Sequence, residues 1–392
     1  MSSLLIAIIY LAFISLGLPD SLLGSAWSDM HQEMQMPISA AGAVTMLISC
    51  GTVISSLFSG IIARKLGTGI TVTVSVALTA CGLFGFAFST EFWMLCVLAL
   101  PYGLGAGAID VALNNYVALH YSSRQMSWLH CFWGVGTIVS PYIMSYALTG
   151  GLGWSGGYRI VGFLQTCILA VLIFALPLWR KVAETRQSVD AEEETPERLG
   201  IFGVCKLRGV VFVLCGFFAY CAAESTVILW ASSYLFQVEE ISEELAAALG
   251  SIFFIGITVG RFLSGLISDR VGDRNMIRGG IALSGLGVLV IASQVGGLTV
   301  AVLGFLIVGL GFAPIYPSVI HATPDNFGTE NSQSVIGVQM AAAYVGSTFM
   351  PPVFGLIAEH IHIGLLPLYL AFFILLMLAM TELLNKSTKK EK

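Results

Sequence analysis

The sequence is poor in charged residues, and this scarcity is the first clue to its class. Aspartate, glutamate, lysine and arginine make up only 10% of the 392 residues, whereas hydrophobic residues make up 56%. The mean hydropathy is +0.87. Since the apolar residues form long runs, the composition predicts an integral membrane protein.

Motifs for catalysis and for metal binding are scarce too. The zinc-protease motif H-E-x-x-H is absent, so an enzyme embedded in the membrane is disfavoured. The eight cysteines contain no C-x-x-C pair. We therefore predict no enzyme activity, no disulfides, no metal site and no cofactor.

A strongly charged surface and a secretory leader are also missing. The net charge of -5 is too small to indicate a nucleic-acid partner. No basic segment precedes the first apolar run, and no small-residue cleavage site follows it. Residues 4–18 are therefore predicted to begin a membrane span and not a signal peptide.

What the chain does have is a series of apolar runs long enough to cross a bilayer, which needs about 20 residues in a helix. Twelve such runs predict an all-α integral membrane protein with twelve transmembrane helices. The predicted spans are 3–27, 39–63, 70–90, 92–118, 127–149, 158–179, 208–236, 244–268, 278–296, 299–321, 331–357 and 363–384.

Positive charge alternates from one gap to the next. Of the 18 lysines and arginines, 16 fall in alternate gaps, and the two exceptions are Arg159 and Arg261. Because lysine and arginine collect in cytoplasmic loops, both termini are predicted to be cytoplasmic. We expect a multi-pass protein of the cell inner or plasma membrane.

An internal repeat divides the twelve spans into halves. Residues 51–67 align with 256–272 at an offset of 205, about half the chain. The pattern predicts two pseudo-symmetric six-helix bundles, 1–180 and 208–392, joined by a polar cytoplasmic linker, 181–207. A parallel bundle repeat suggests alternating access to a central site.

The loop after the eighth span resembles a signature of the major facilitator superfamily. Residues 265–274 are similar to its G-x-x-x-D-R-x-G-R-R motif, which implies a cytoplasmic latch or gate made by Asp269, Arg270 and Arg274. Arg64 occupies the aspartate position in the corresponding first-half loop.

Finer features resemble the fucose/galactose/glucose:proton symporter branch. The similar segments are Leu18–Leu23, Gly103–Asn115, Tyr220–Glu224, Gly260–Phe262 and Gly309–Pro317. His130 and Trp133 stand where that branch has glutamine and asparagine in a Gln-x-x-Asn element. This departure leaves the identity of the sugar open.

Four charged residues interrupt the apolar runs, namely Asp20, Asp110, Glu224 and Arg261. A charge in hydrocarbon costs at least about 2.5 kcal/mol, so such residues are usually functional. The three acids are candidate proton-coupling residues. Arg261 needs a partner, for which Glu224 or a helix C-terminus is available, and it is a candidate gating or structural charge.

Sugars present hydroxyl groups and an apolar face, so polar and aromatic side chains near these charges are candidate substrate ligands. Asn114 lies one helical turn after Asp110 and shares its face. The candidate substrate-binding residues are Asp110, Asn114, His130, Trp133, Glu224, Trp230, Tyr316, Gln339 and Tyr344.

These features predict a monomeric secondary active transporter in the lipid bilayer, taking up a hexose or deoxyhexose with protons. One alternative is a proton-coupled exporter of hydrophobic or cationic compounds, which the same acids could serve. Sodium coupling is a further variant. An alternative from a different functional class is a membrane sensor that does not transport.

Overall fold

The computed structural model describes residues 2–37, 40–187, 201–293 and 295–388. In this part of the chain, twelve helices are long and apolar enough to cross a membrane, which confirms the predicted all-α fold. They are Ser3–Glu33, Ala41–Leu66, Thr68–Ala87, Phe92–His120, Ser123–Thr149, Gly153–Trp179, Val210–Val238, Ile252–Val271, Asp273–Ser293, Gly297–His321, Ser332–His360 and Ile363–Ser387.

Several spans consist of more than one helix. In chain order the α-helices are α1 (Ser2–Asp20), α2 (Leu22–Glu33), α3 (Ala41–Leu66), α4 (Thr68–Ala87), α5 (Phe92–His120), α6 (Ser123–Thr149), α7 (Gly153–Gln187), α8 (Ile201–Val204), α9 (Val210–Val238), α10 (Glu243–Gly250), α11 (Ile252–Val271), α12 (Asp273–Ser293), α13 (Gly297–Phe312), α14 (Ile315–His321), α15 (Thr323–Phe327), α16 (Ser332–His360) and α17 (Leu366–Ser387). A 3₁₀ turn, Ile363–Leu365, precedes α17.

The chain forms two compact units. The first comprises Met1–Tyr116 and Leu129–Arg198, and the second comprises Val117–Trp128 and Leu199–Lys392. The segment Val117–Trp128, where α5 meets α6, therefore groups with the second unit. Residues 188–200 of the predicted linker lie outside the described residues.

Exposure is distributed as expected of a protein surrounded by lipid. Large apolar side chains such as Phe174 and Leu289 are exposed, at 85% and 68%, whereas polar Asn114 and Gln339 are fully buried. With hydrocarbon as the solvent, association of the helices depends on close packing and on polar contacts inside the protein.

The first span is interrupted beside one of its acids. Pro19 has no backbone N–H, so it cannot donate to a carbonyl one turn earlier. The helix α1 ends at Asp20, Ser21 forms a turn, and α2 begins at Leu22. The Ser21 hydroxyl donates to the Thr137 carbonyl oxygen at 3.0 Å, and this hydrogen bond connects the turn to α6.

Two glycines let α1 and α6 cross with their backbones in contact. A Cβ atom added to Gly17 would overlap the Trp133 carbonyl oxygen, and one added to Gly136 would overlap the Ile14 carbonyl oxygen. Small residues of this kind permit close helix approach in membranes. The crossing brings the middle of α6, around Trp133 and Thr137, next to the end of α1 at Asp20.

In the second unit, α9 packs against α16 and α17, and α13 packs against α11 and α12. The tenth span is broken after Phe312, and α14 starts at Ile315 directly after Pro314. Pro314 has no backbone N–H to donate to a carbonyl one turn earlier, which favours a break in the helix here. The break brings Tyr316 into contact with α9.

The largest differences from the predicted boundaries lie in the first and eighth spans. The first span ends at Glu33, not at residue 27, so Asp29 and Glu33 lie on α2 and not in a gap. The predicted eighth span, 244–268, divides into α10 and a membrane helix that begins at Ile252. Local hydropathy does not register a turn between two adjacent helices.

Candidate functional site

A buried hydrogen-bonded chain links α5 to α6 in the first unit. The Asn114 side-chain amide donates to Asp110 Oδ1 at 2.7 Å and to the Asp110 carbonyl oxygen at 3.0 Å. His130 Nε2 lies 3.0 Å from Asn114 Oδ1. The predicted shared face of Asp110 and Asn114 is therefore present, and His130 extends it.

The donors in this chain can be assigned from the geometry. Because the Asn114 nitrogen donates to Asp110, its oxygen is the acceptor, and His130 Nε2 must carry the hydrogen. The three side chains are at most 5% exposed. Phe13 of α1 packs edge-on against the His130 imidazole, with ring centroids 5.4 Å apart.

The second acid of this unit, Asp20, lies where α1 is interrupted. Trp133 Nε1 donates to Asp20 Oδ2 at 2.8 Å, across the α1–α6 crossing. Unlike Asp110, Asp20 is an exposed residue. The structure thus provides one buried and one accessible carboxyl group in the same unit, a suitable pair for taking up and holding a proton.

In the second unit, Glu224 and Arg261 form an ion pair. The distance from Arg261 Nη2 to Glu224 Oε1 is 3.2 Å, and the side chains are 3% and 14% exposed, respectively. The Tyr220 hydroxyl donates to the same oxygen at 2.8 Å. Of the two partners that the sequence suggested for Arg261, the structure provides Glu224.

Aromatic rings surround this ion pair. The ring centroids of Tyr220 and Tyr316 are 5.9 Å apart, and Phe217 lies 4.8 Å from Tyr316. The Tyr316 hydroxyl donates to Met340 Sδ at 3.0 Å. Tyr316 therefore belongs to the same cluster as Glu224, as expected of a ligand site with an apolar wall.

The remaining candidates of the second unit have their own contacts. Trp230 Nε1 donates to the Pro351 carbonyl oxygen at 2.9 Å, and the ring packs edge-on against Phe354. The buried Gln339 accepts from the Thr323 hydroxyl at 3.0 Å. Tyr344 is half-buried on α16. The contacts of Trp230 and Gln339 tie helices together.

The gating residues fall into two groups. Asp269 accepts from the Arg124 backbone N–H at 3.0 Å and pairs with its guanidinium at 3.2 Å. Arg270 and Arg274 are exposed, and no described residue forms a hydrogen bond or ion pair with either of them. Of the three predicted gating residues in this loop, Asp269 makes a specific contact.

Three polar residues near Asp269, namely Ser123, Asp273 and His321, were not among the predicted site residues. Asp273 accepts from the Ser123 hydroxyl at 2.6 Å and pairs with His321 Nδ1 at 2.6 Å. His321 Nε2 also contacts the Tyr121 carbonyl oxygen at 3.1 Å. The available signals were an extra aspartate inside the loop signature and a histidine at the end of the tenth span.

The described residues contain no group of three or more histidine, cysteine, aspartate or glutamate side chains that could hold a metal ion.

The sequence matches the model of the family described as Major Facilitator Superfamily over residues 9–249 and 213–392. Among curated proteins, the glucose/mannose transporter GlcP of Bacillus subtilis is 23% identical over 250 residues, covering 63% of this chain and 61% of GlcP. The 4-hydroxybenzoate transporter PcaK of Acinetobacter baylyi is 21% identical over 379 residues, covering 85% and 82%.

Among solved structures, the fold is similar to that of the E. coli fucose:proton symporter FucP. The TM-score is 0.77 at 15% sequence identity, and the match covers 99% of this chain and 98% of FucP. Identity this low supports the fold alone. The named substrates of the similar proteins range from sugars to an aromatic acid.

Proposed function

Because this chain belongs to the major facilitator superfamily, we propose that it is a secondary active transporter that takes up a hexose or deoxyhexose with a proton. Membership makes the chain a multi-pass membrane transporter and not an enzyme. The substrate, the coupling ion and the direction of transport are the proposed part. The observation that carries the proposal is the buried Asp110–Asn114–His130 chain.

A sugar site is supported by the kinds of groups that each unit contains. Asp110, Asn114 and His130 offer acceptors and donors for hydroxyl groups, while Tyr220 and Tyr316 form an aromatic wall in the second unit. Support also comes from the names of two similar proteins, a fucose:proton symporter and a glucose/mannose transporter.

We assign proton coupling to Asp110 first. Its observed neighbour Asn114 is a neutral amide, whereas Glu224 contacts the guanidinium of Arg261. Protonation of Glu224 would cost its ion pair with the buried Arg261, so Glu224 is the less suitable of the two for carrying a proton. Asp20, which is exposed, is assigned as the second protonation site.

The proposed coupling follows from a change in hydrogen bonding at Asp110. As a carboxylate, Asp110 accepts from the Asn114 amide; once protonated, it gains an O–H that can donate to a sugar hydroxyl. Binding of sugar is then stronger to the protonated form. If only this form closes around the substrate, the proton and sugar move together.

Replacement of Asp110 by asparagine tests this assignment. We expect Asp110→Asn to abolish uphill sugar accumulation in proteoliposomes driven by a proton gradient, while sugar exchange at equal concentrations continues. The matched control is Asp29→Asn, which changes an exposed carboxyl group on α2. Undiminished uphill uptake in Asp110→Asn would contradict the proposal.

The other interpretations predict different results in the same assay. A proton-coupled exporter would be inhibited by lipophilic cations and not by hexoses, and a sodium-coupled carrier would lose uptake when sodium is replaced. A sensor would not transport at all when purified protein alone is reconstituted.

We also propose two six-helix bundles that rock about a central site, in a chain that acts as a monomer with both termini in the cytoplasm. The repeat of residues 51–67 at 256–272 and the alternation of basic gaps support this arrangement. Labelling of single cysteines placed near each terminus, in intact and in opened cells, tests the orientation.

A further inference from the structure

We propose that the groove between α3, α4 and α5 holds an anionic phospholipid, whose headgroup contacts Arg64 and Lys65 while one acyl chain lies in the groove. This proposal is independent of the transported substrate. It concerns the first unit alone.

The helix α3 contributes five of the eleven residues that line the groove. Four of its residues, Ile54, Phe58, Ile62 and Leu66, follow one another at intervals of four and therefore share a face. The groove has a volume of about 320 Å³. The other lining residues are Ser55, Thr71, Val74, Ser75, Leu78, Leu104 and Ala108.

The length of the groove matches one leaflet of a bilayer. From Ile54 to Leu66, thirteen residues and twelve helical steps, α3 rises about 18 Å at about 1.5 Å per residue. Half of a hydrocarbon core of about 30 Å is roughly 15 Å. A groove of this length, open along its side, fits a single acyl chain that enters from one membrane surface.

The groove offers little to a polar ligand. The hydroxyl of Thr71 donates to the Gly67 carbonyl oxygen at 2.9 Å, and that of Ser55 to the Thr52 carbonyl oxygen at 3.2 Å. Both hydroxyls are thus used within their own helices. Ile54, Phe58 and Val74 are nearly half exposed, so hydrocarbon must cover an apolar surface here.

Two cations stand at the end of the groove. Lys65 comes three residues after Ile62 and shares its helix face, and Arg64 precedes it. Both side chains are exposed, and no acidic group of the described residues lies within 4.0 Å of either one. The positive-inside rule accounts for cations in a loop that is predicted to be cytoplasmic, but it does not explain why these two cations adjoin an apolar groove.

The internal repeat makes the lack of an acid informative. At the offset of 205, Arg64 corresponds to Asp269, whose carboxylate pairs with Arg124 at 3.2 Å. The first-half loop therefore has a cation where the second half has an anion. A lipid phosphate at this position supplies the negative charge that Asp269 provides in the second half.

The test uses the full-length protein in mild detergent, titrated with phosphatidylglycerol or phosphatidylcholine of identical acyl chains and read by native mass spectrometry. Each basic residue near a lipid surface contributes about a fivefold gain for an anionic lipid. We expect a preference for phosphatidylglycerol of about 25-fold in the natural sequence. Arg64→Gln/Lys65→Gln should reduce it to about one.

Two controls make the result decisive. Lys206→Gln/Arg208→Gln removes the same charge from two other exposed residues and should keep the preference. Val74→Trp fills the groove and should weaken the binding of both lipids about tenfold. Val97 is exposed and lies outside the groove, so Val97→Trp should leave the binding of both lipids unchanged. Equal losses in both charge variants, no headgroup preference in the natural sequence, or unchanged binding by Val74→Trp would each overturn the proposal.

Discussion

At the scale of single residues, the buried charged side chains have different kinds of neighbours in the two units. In the first unit, Asp110 contacts a neutral amide, which can adapt when the carboxyl group gains or loses a proton. In the second, Glu224 and Arg261 neutralise each other in a buried position. The stability contributed by each member of this pair should therefore depend on the other.

That dependence can be measured with a double-mutant cycle. Glu224→Gln or Arg261→Met alone leaves one buried charge without its partner, which costs about 3–5 kcal/mol of stability. The double variant leaves neither charge, so most of this loss should be recovered. Thermal unfolding of the natural protein, the two single variants and the double variant measures these losses of stability. Additive losses would contradict a mutually neutralising pair.

His130 should act through its hydrogen bond to Asn114. His130→Gln retains a donor for the Asn114 oxygen and should keep sugar uptake, whereas His130→Leu leaves that buried oxygen unsatisfied. We expect the half-saturating sugar concentration to rise about tenfold in His130→Leu, as expected for one lost buried hydrogen bond. The control is the exposed His360→Leu, and equal behaviour of both His130 variants would exclude this role.

The sequence predicted only part of this residue-level picture. The Asp110–Asn114 contact follows from helical spacing, because residues four apart lie on one face. The contact between Asp20 and Trp133 joins positions 113 apart, and that between Ser123 and Asp273 joins positions 150 apart. Such contacts depend on how helices cross, which composition and spacing do not specify.

At the scale of the elements, the crossing of α1 and α6 positions the accessible acid. Backbone contact at Gly17 and Gly136 sets the distance between the helices, and the turn at Ser21 directs Asp20 toward Trp133. The presence of each helix could be predicted from its apolar length. The end of α2 at Glu33 could not, because charged residues on an exposed helix face resemble those of a loop.

Gly17→Ala tests this crossing. The added Cβ would overlap the Trp133 carbonyl oxygen, and overpacking of this kind costs about 1–3 kcal/mol. We expect a lower unfolding temperature and weaker proton-coupled uptake, because Asp20 and Trp133 move apart. Gly24→Ala on α2 is the matched control, since nothing lies within 4 Å of its added Cβ. Equal stability of the two variants would contradict close backbone contact at Gly17.

At the scale of the whole molecule, the apolar runs and the internal repeat predicted a membrane protein with two related halves, and the motif at residues 265–274 indicated the transporter family that the family model shows. The family fixes the fold but leaves the substrate open, as the sugar and 4-hydroxybenzoate transporters among the similar proteins illustrate. We propose that a few side chains determine the substrate, among them His130, at which this chain differs from the branch it resembles.

The central claim is that sugar and proton enter together through a route that requires Asp110. Its most direct test is purified protein in proteoliposomes loaded with a pH-sensitive dye and exposed to a panel of sugars. We predict that at least one hexose or deoxyhexose acidifies the lumen and that Asp110→Asn removes this signal. Acidification by no sugar, alkalinisation, or an undiminished signal in Asp110→Asn would contradict the account.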